Sequence, residues 1–310
     1  MNKTLLLVKN TALYFFPAIT EFDVSAVLKQ TDDAYFDAIE QKKDQPLASL
    51  DYSLGSWIHH VQDYDTIIFL DYGFQPWMAH AVRSKTTARI IFYIWNLIDS
   101  EKLRVISTLQ SNQWVDDIYT FTPQDARSYT LKYNSTFYKH SHDTYPSFTE
   151  YDVFFGGKNG GRESRILSLM NHFEDHGLRT LIHAIDFETI PAAPYIPYPE
   201  YIKLFLNSKA ILEVLKETQQ GITLRSMESI FYHRKLITTN ISIRAYQFYN
   251  PQNIFILDHD DEDSLLDFLN SPYHPVPEDI IAYYQPDQWL ERFSQNQEEI
   301  FRQQFISDLP

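Results

Sequence analysis

Short, uninterrupted apolar runs alternate along this chain with stretches whose apolar residues recur every third or fourth position. The first pattern predicts buried strands and the second amphipathic helices. In the N-terminal part the strand candidates are Thr4–Val8, Thr66–Leu70, Ala88–Trp95 and Asp117–Phe121, with helical stretches between them such as Ser100–Gln110. Strands interleaved with helices imply a parallel α/β sheet. Thr122 followed by Pro123 has the form of a helix N-cap with proline at the first helical position. The stretch 138–149, rich in His, Ser, Tyr and Pro and without periodicity, reads as a linker.

A second α/β series follows. It contains strand Asp152–Phe155, helix Arg162–His176 stopped by Gly177, and strand Leu178–Ile185. After a loop with Pro191, Pro194, Pro197 and Pro199 come helix Tyr201–Asn207, strand Ala210–Leu215, helix Leu224–His233, and strands Leu236–Thr239 and Asn253–Leu257. Pro286–Phe305 reads as one amphipathic helix carrying Trp289, Leu290, Phe293 and Phe301. The expected architecture is therefore α/β, with two tandem Rossmann-like domains, 1–145 and 146–285, facing each other across a cleft. A C-terminal helix, 286–310, is expected to cross back onto the first domain. No repeat of solenoid period interrupts this picture.

Composition narrows the class. The 310 residues suit two domains, and 21 Tyr, 22 Phe and 5 Trp supply large cores. The absence of cysteine excludes disulfides, thiolate metal sites and a cysteine nucleophile, and fits a reducing cytoplasm. No apolar run approaches the ~20 residues that span a bilayer, and Lys9 interrupts the N-terminal run too early for a signal peptide. A net charge of −15 argues against a nucleic-acid partner. Any anionic ligand then needs a local cationic pocket that works against the global field.

Half of the eight glycines, Gly156, Gly157, Gly160 and Gly161, lie in the single segment Tyr151–Arg162. Strand, glycine-rich turn and helix N-terminus is a geometry that cradles phosphate, because free N–H groups and the helix dipole point at the anion. Lys158 and Arg162 add positive charge. A plain βα turn is the alternative, although two glycine pairs plus two cations exceed what a turn requires. The spacing excludes a P-loop, since Asn159 follows Gly157-Lys158 where Ser or Thr is needed. The dinucleotide fingerprint fits neither register of the cluster. Asp186 nonetheless stands where such a site would place its acidic residue, so that reading is weakened and not excluded.

A second constellation runs from Gln219 to Phe231, after a strand and opening a helix. Arg225 and Glu228 share a helix face there. The guanidinium suits a diphosphate and the carboxylate a sugar diol; an ordinary surface ion pair is the equal alternative. The order of glycine–lysine loop, Gly221-x-Thr223-x-Arg225-x-x-Glu228 and strand Lys235–Asn240 resembles the donor-binding half of GT-B glycosyltransferases. The segments Tyr249–Ile256 and Trp114–Asp125 look like the same group, in particular the bacterial transferases that build lipopolysaccharide core, capsule and related surface glycans. The likeness spans roughly residues 60–260 and is most specific over Tyr151–Leu257.

That resemblance implies a nucleotide-diphosphate sugar bound in the C-terminal domain and a glycan or lipid-linked glycan acceptor in the N-terminal one, with peripheral association at a membrane's inner face. Gly157, Lys158 and Arg162 would meet the diphosphate, Thr223 and Arg225 the phosphate or sugar, and Glu228 the ribose or donor sugar. Gly156, Gln220 and Gly221 complete the implied donor set. Many retaining members carry two carboxylates eight positions apart; the first is Gln220 here, which leaves retention or inversion open. An inverting enzyme needs a general base in the N-terminal domain. Asp71, directly after strand Thr66–Leu70, is the candidate, with a turn or helix cap as the alternative. No cofactor and no metal is expected.

Other signals read as structural. Asp258–Asp263 is taken as a solvated acidic loop with an N-cap rather than a cation site. His59-His60 and His140/His142 lack a third ligand. Phe15, Phe16 and Trp77 are assigned to the core. The rival functions are a tandem-Rossmann oxidoreductase using NAD or another nucleotide, and a non-catalytic glycan- or nucleotide-binding protein.

Overall fold

A computed structural model describes residues 3–16, 19–29, 53–139, 149–216, 219 and 221–306, leaving out the side chains of Tyr14 and Phe15. Most of the segment read as a linker, and Gln220, His140 and His142, lie outside them. The chain divides into two compact units, Met1–Ser135 and Thr136–Pro310.

The first unit is built on a six-stranded, all-parallel sheet in the order β2-β1-β3-β4-β5-β6. Its strands are β1 (Thr4–Val8), β2 (Asp23–Ala26), β3 (Thr66–Leu70), β4 (Arg89–Ile94), β5 (Asp117–Thr120) and β6 (Lys132–Tyr133). The central strands are covered on both faces: Leu5, Leu6, Leu7, Ile67, Ile68, Ile90 and Ile91 are all buried. Burial on both faces is why these strands read as continuous apolar runs instead of alternating ones. Helices α1 (Pro76–Arg83), α2 (Ser100–Asn112) and α3 (Pro123–Tyr129) connect them. Thr122 caps α3 as expected, its hydroxyl accepting the Asp125 N–H. The edge strands β2 and β6 were not legible; one is half-exposed and the other only two residues long, so neither carries an apolar run.

The second unit holds a five-stranded parallel sheet in the order β11-β10-β9-β7-β8. In chain order its elements are β7 (Tyr151–Gly157), α4 (Glu163–Asp175), β8 (Thr180–Ala184), α5 (Tyr198–Leu206), β9 (Ser208–Glu213), α6 (Leu224–Phe231), β10 (Lys235–Thr238) and β11 (Ile254–Ile256). From β7 the chain steps outward to β8, then returns to place β9 on the other side of β7. Connections leaving β7 and β9 therefore diverge, and the crevice at their carboxyl ends is the topological switch point where doubly wound sheets bind ligands.

Four helices close the second unit: α7 (Leu265–Asn270), α8 (Glu278–Tyr283), α9 (Pro286–Arg292) and α10 (Gln297–Gln304). The single helix expected over Pro286–Phe305 is thus two. Asn296 starts the second by accepting the Glu298 N–H, and such a capping residue is favoured over continued helix. Trp289 is fully buried, with its ring 4.2 Å from that of Phe137 and 4.7 Å from that of Phe293, and Phe305 packs 4.8 Å from Tyr246. These contacts make α9 and α10 part of the second unit. No helix among the described residues is long and apolar enough to cross a membrane.

Trp289→Ala should cost about 3–5 kcal/mol, the usual range for emptying a buried aromatic site. A fall in Tm and in denaturant midpoint of the second unit's transition would show it; an unchanged midpoint would contradict the packing described.

Candidate active site

The glycine cluster begins inside a strand. An added Cβ at Gly156 would stand 2.5 Å from the rings of Phe154 and Tyr201. One at Gly157, where φ is +144°, would overlap the Arg225 guanidinium. The two glycines thus let an aromatic ring and a guanidinium lie directly on the end of β7. Gly160 and Gly161 (φ +54° and +82°) make the turn, and Lys216 lies against Gly160, which would bring an added Cβ within 3.0 Å of its side chain.

The expected open helix N-terminus is closed from within. The Asn159 side-chain oxygen accepts the N–H groups of Gly161, Arg162 and Glu163, each at 3.0 Å. Those three amides are among the ones the phosphate cradle required. Asp186 takes the Asn159 N–H, so the acid that kept a dinucleotide reading open is a pin of the loop itself. Arg162 is not a mobile cation either. It donates to the carbonyls of Val214, Lys158 (2.9 Å) and Asn159 (3.1 Å), lashing the loop to the segment after β9. Burial, and then the nearby Arg225, hold its pKa below the usual guanidinium range. Lys158 remains exposed beside them.

Helix α6 carries the second constellation to the same crevice. Thr223 is its N-cap and accepts the Arg225 N–H at 3.1 Å. Arg225 donates through Nη2 to the Gly156 carbonyl, and its guanidinium lies 5.7 Å from the Phe155 ring centre. Its Nε is buried and has no hydrogen-bond partner among the described residues. Gly221, at φ +86°, passes its carbonyl to the Asn240 amide at 2.8 Å.

Glu228 is not a surface partner of Arg225. It is 2% exposed and accepts hydrogen bonds from Tyr198 Oη (2.7 Å) and Tyr201 Oη (3.1 Å). Tyr198 Oη in turn shares a 2.8 Å hydrogen bond with Tyr138 Oη. Burial pushes the Glu228 carboxyl up to about 7, with Arg225 and the two tyrosines pulling the other way.

Four contributors escaped the sequence reading: Glu213, Lys216, Tyr198 and Tyr201. Glu213 ends β9 and is buried, accepting from the hydroxyls of Thr223, Ser226 and Thr238. An acid closing an apolar run (Ala210–Leu212) was the available signal. Tyr198 and Tyr201 are one helical turn apart just after the proline-rich loop, a spacing that puts both hydroxyls on one face.

In the first unit, Asp71 is a clasp. Its carboxylate accepts from the Trp95 N–H (2.8 Å) and twice from the Asn96 amide (3.1 Å), and Lys102 Nζ is 2.8 Å away. With both oxygens engaged in tying the end of β3 to the segment after β4, it lacks the spare lone pair a general base presents, and the turn-and-clasp alternative describes it better. Asp125, on the first turn of α3, differs. Its Oδ2 is buried with no partner among the described residues. Burial raises its pKa, a shift that the Thr122 hydroxyl and Lys102 only partly offset.

The remaining signals are structural. Trp77 is buried, and Phe16 packs 5.4 Å from Trp95; His59 and His60 are exposed. The acidic loop is spent on ion pairs, Asp258 with Arg165 and Asp260 with Arg244 (2.6 Å each), and on Asp261 capping a short 3-10 turn. No group of three or more potential metal ligands occurs among the described residues.

This chain has the GT-B fold, two parallel-sheet α/β units in tandem. Among solved structures it is similar to a DNA-modifying β-glucosyltransferase determined with and without uridine diphosphoglucose, at 14% identity, covering 96% of this chain and 99% of that one with a TM-score of 0.51. It is also similar to OtsA in its apo form, at 14% identity, covering 99% and 100% of the two chains with a TM-score of 0.50. No family model and no curated protein matches the sequence. The expectation that nucleic acid is not a partner gains no support here, since one of these similar chains modifies DNA.

A carboxyl at about 7 when folded and near its ordinary 4.5 when unfolded makes stability pH-dependent. The folded state holds the extra proton between those values, so this group's contribution is complete below ~4.5 and is lost as pH rises through ~7. The loss is at most about 3 kcal/mol. Glu228→Gln should remove it: the Tm of the variant relative to the parent should climb between pH 5 and pH 8. A pH-independent difference would mean the carboxyl titrates normally.

Proposed function

We propose that this chain is a glycosyltransferase that takes a sugar from a nucleotide-diphosphate donor, with the diphosphate at the switch point of the second sheet. The observation that carries the reading is Arg225: a guanidinium set at the carboxyl ends of β7 and β9, with a buried Nε–H that no described residue satisfies. A buried donor on a charged group without an acceptor is costly in the resting protein, and an anionic oxygen would satisfy it. Lys158, Lys216 and Arg162 surround the same crevice and give it local positive charge in a chain of net charge −15.

In this reading Arg225 and Lys158 stabilise the charge that develops on the departing diphosphate, with Arg162 and Lys216 adding to the field. We assign no obligatory metal, so transfer should persist in a chelator. Glu228, held by two tyrosine hydroxyls, would accept hydroxyls of the ribose or donor sugar. For an inverting reaction the general base passes from Asp71 to Asp125, whose raised pKa and unpartnered oxygen suit proton abstraction from an acceptor hydroxyl. The acceptor class we favour is a glycan, as in bacterial surface polysaccharide or lipopolysaccharide synthesis. The sequence resemblance and the acidic net charge support that choice.

Arg225→Lys keeps the charge and loses the forked donor geometry. Calorimetry should show nucleoside-diphosphate affinity falling about ten- to a hundredfold with nucleoside affinity unchanged; equal losses for both would remove the diphosphate from this crevice. Asp125→Asn should lower kcat by about 10²–10⁴-fold while leaving the nucleoside-diphosphate Kd alone. An unaltered kcat would return the search for a base to other residues of the first unit.

A further inference from the structure

Glu213 is a charged group placed where the sheet alone calls for an apolar one. It is the last residue of β9, paired in register with Thr238 of β10, and 2% exposed. Among the described residues no lysine or arginine closes an ion pair with it; instead three hydroxyls converge on it. Oε1 accepts from Thr223 and from Ser226 (3.1 Å), and Oε2 accepts from Thr238 at 2.5 Å. Burying a carboxylate is expensive, and hydroxyl donors only balance that cost. A charge retained in so confined a place is therefore doing something an apolar residue would not.

The direction of its contacts shows what. Thr223 and Ser226 belong to the cap and first turn of α6, and Arg225 lies between them. The Thr223 hydroxyl that donates to Glu213 also accepts the Arg225 N–H. Thr238, on the other side, is anchored in β10 and accepts the Asn240 N–H at 2.9 Å; Asn240 holds the Gly221 carbonyl that leads into the helix. One carboxylate thus fixes the start of α6 to two strands of the sheet, and with it the point from which Arg225 reaches the end of β7. Its negative charge also lies close enough to act on both Arg225 and Arg162.

We propose that Glu213 is the positioning residue of the anion site: it touches no ligand, and by gripping Thr223 and Ser226 it sets where Arg225 presents its guanidinium to a diphosphate. This rests on the diphosphate reading of the crevice.

The test compares Glu213→Gln with the parent in calorimetric titrations of UDP, GDP and dTDP, each against its nucleoside, with Tm measured in parallel. A glutamine has the same size but one acceptor oxygen in place of two, so it cannot satisfy all three hydroxyls. Nucleoside-diphosphate affinity should fall about tenfold or more, with nucleoside affinity within about twofold of the parent. Thr223→Val should reproduce that selective loss and Thr223→Ser, which restores the hydroxyl, should reverse it. If Glu213→Gln is too unstable to titrate, the Thr223 pair and Ser226→Ala carry the test alone. A purely structural carboxylate would lower Tm and leave the ratio of diphosphate to nucleoside affinity where it was, and that result overturns the proposal. Intact diphosphate binding in Glu213→Gln together with loss in Arg225→Lys would sink the role of Glu213 and leave the donor reading standing. A parent protein that binds none of the three diphosphates would end both.

Discussion

The second unit of this protein turns on one hydrogen bond, from the Arg225 guanidinium to the carbonyl of Gly156. It crosses the point where the strand order of the second sheet reverses and joins the first turn of α6 to the end of β7. The local sequence is arranged around it. Gly157 cannot carry a side chain because the guanidinium occupies that space, and Phe155 offers its ring beneath. Because one arm of the fork is committed to the backbone, the rest of the group is held at a fixed orientation. That is the condition under which an arginine recognises an anion at low entropic cost.

Behind this contact lies a polar interior rather than a hydrophobic one. Glu213 and Glu228 are both buried within one helix and its neighbouring strand, one satisfied by aliphatic hydroxyls and the other by phenolic ones. The difference matters. The three small hydroxyls bring backbone segments together, whereas Tyr198 and Tyr201 are long arms from α5, whose own position follows the proline-rich loop. Polar networks of this kind specify one arrangement when every member is satisfied. Within this network the unsatisfied atom is Arg225 Nε, which has no partner among the described residues.

Much of the architecture was legible from the chain alone because its strands are buried on both faces. Runs such as Ile67–Leu70 and Phe154–Phe155 announce themselves, and the alternation with helical periodicity leaves few topologies open. Elements that bury little, β2 and β6, left no trace, and the break between α9 and α10 depended on a single capping asparagine that a periodicity reading passes over. In the site, residue identity was easier to read than residue state. The glycine cluster, Arg225 and Glu228 do converge, but three facts needed side-chain geometry: Asn159 folding back onto the helix amides, Arg162 spent on carbonyls, and Asp71 saturated by donors. Glu213 was missed because an acid at the end of a strand looks like the start of a loop.

The hydrogen bond between Tyr138 and Tyr198 has a consequence for how such a chain can evolve. The residues that follow the first unit do not run free before entering the second; within three residues of Ser135 the chain is tied, through Tyr198, to the carboxyl of Glu228. Phe137 is likewise seated on Trp289, near the far end of the sequence. A recombination event that exchanged the first half for that of a distant relative would have to cut ahead of residue 136, or inherit a foreign segment where a matched tyrosine is required. Swapped first halves would therefore be inherited with a junction shifted toward the N-terminus, and in homologous chimaeras the viable crossover should fall ahead of residue 136.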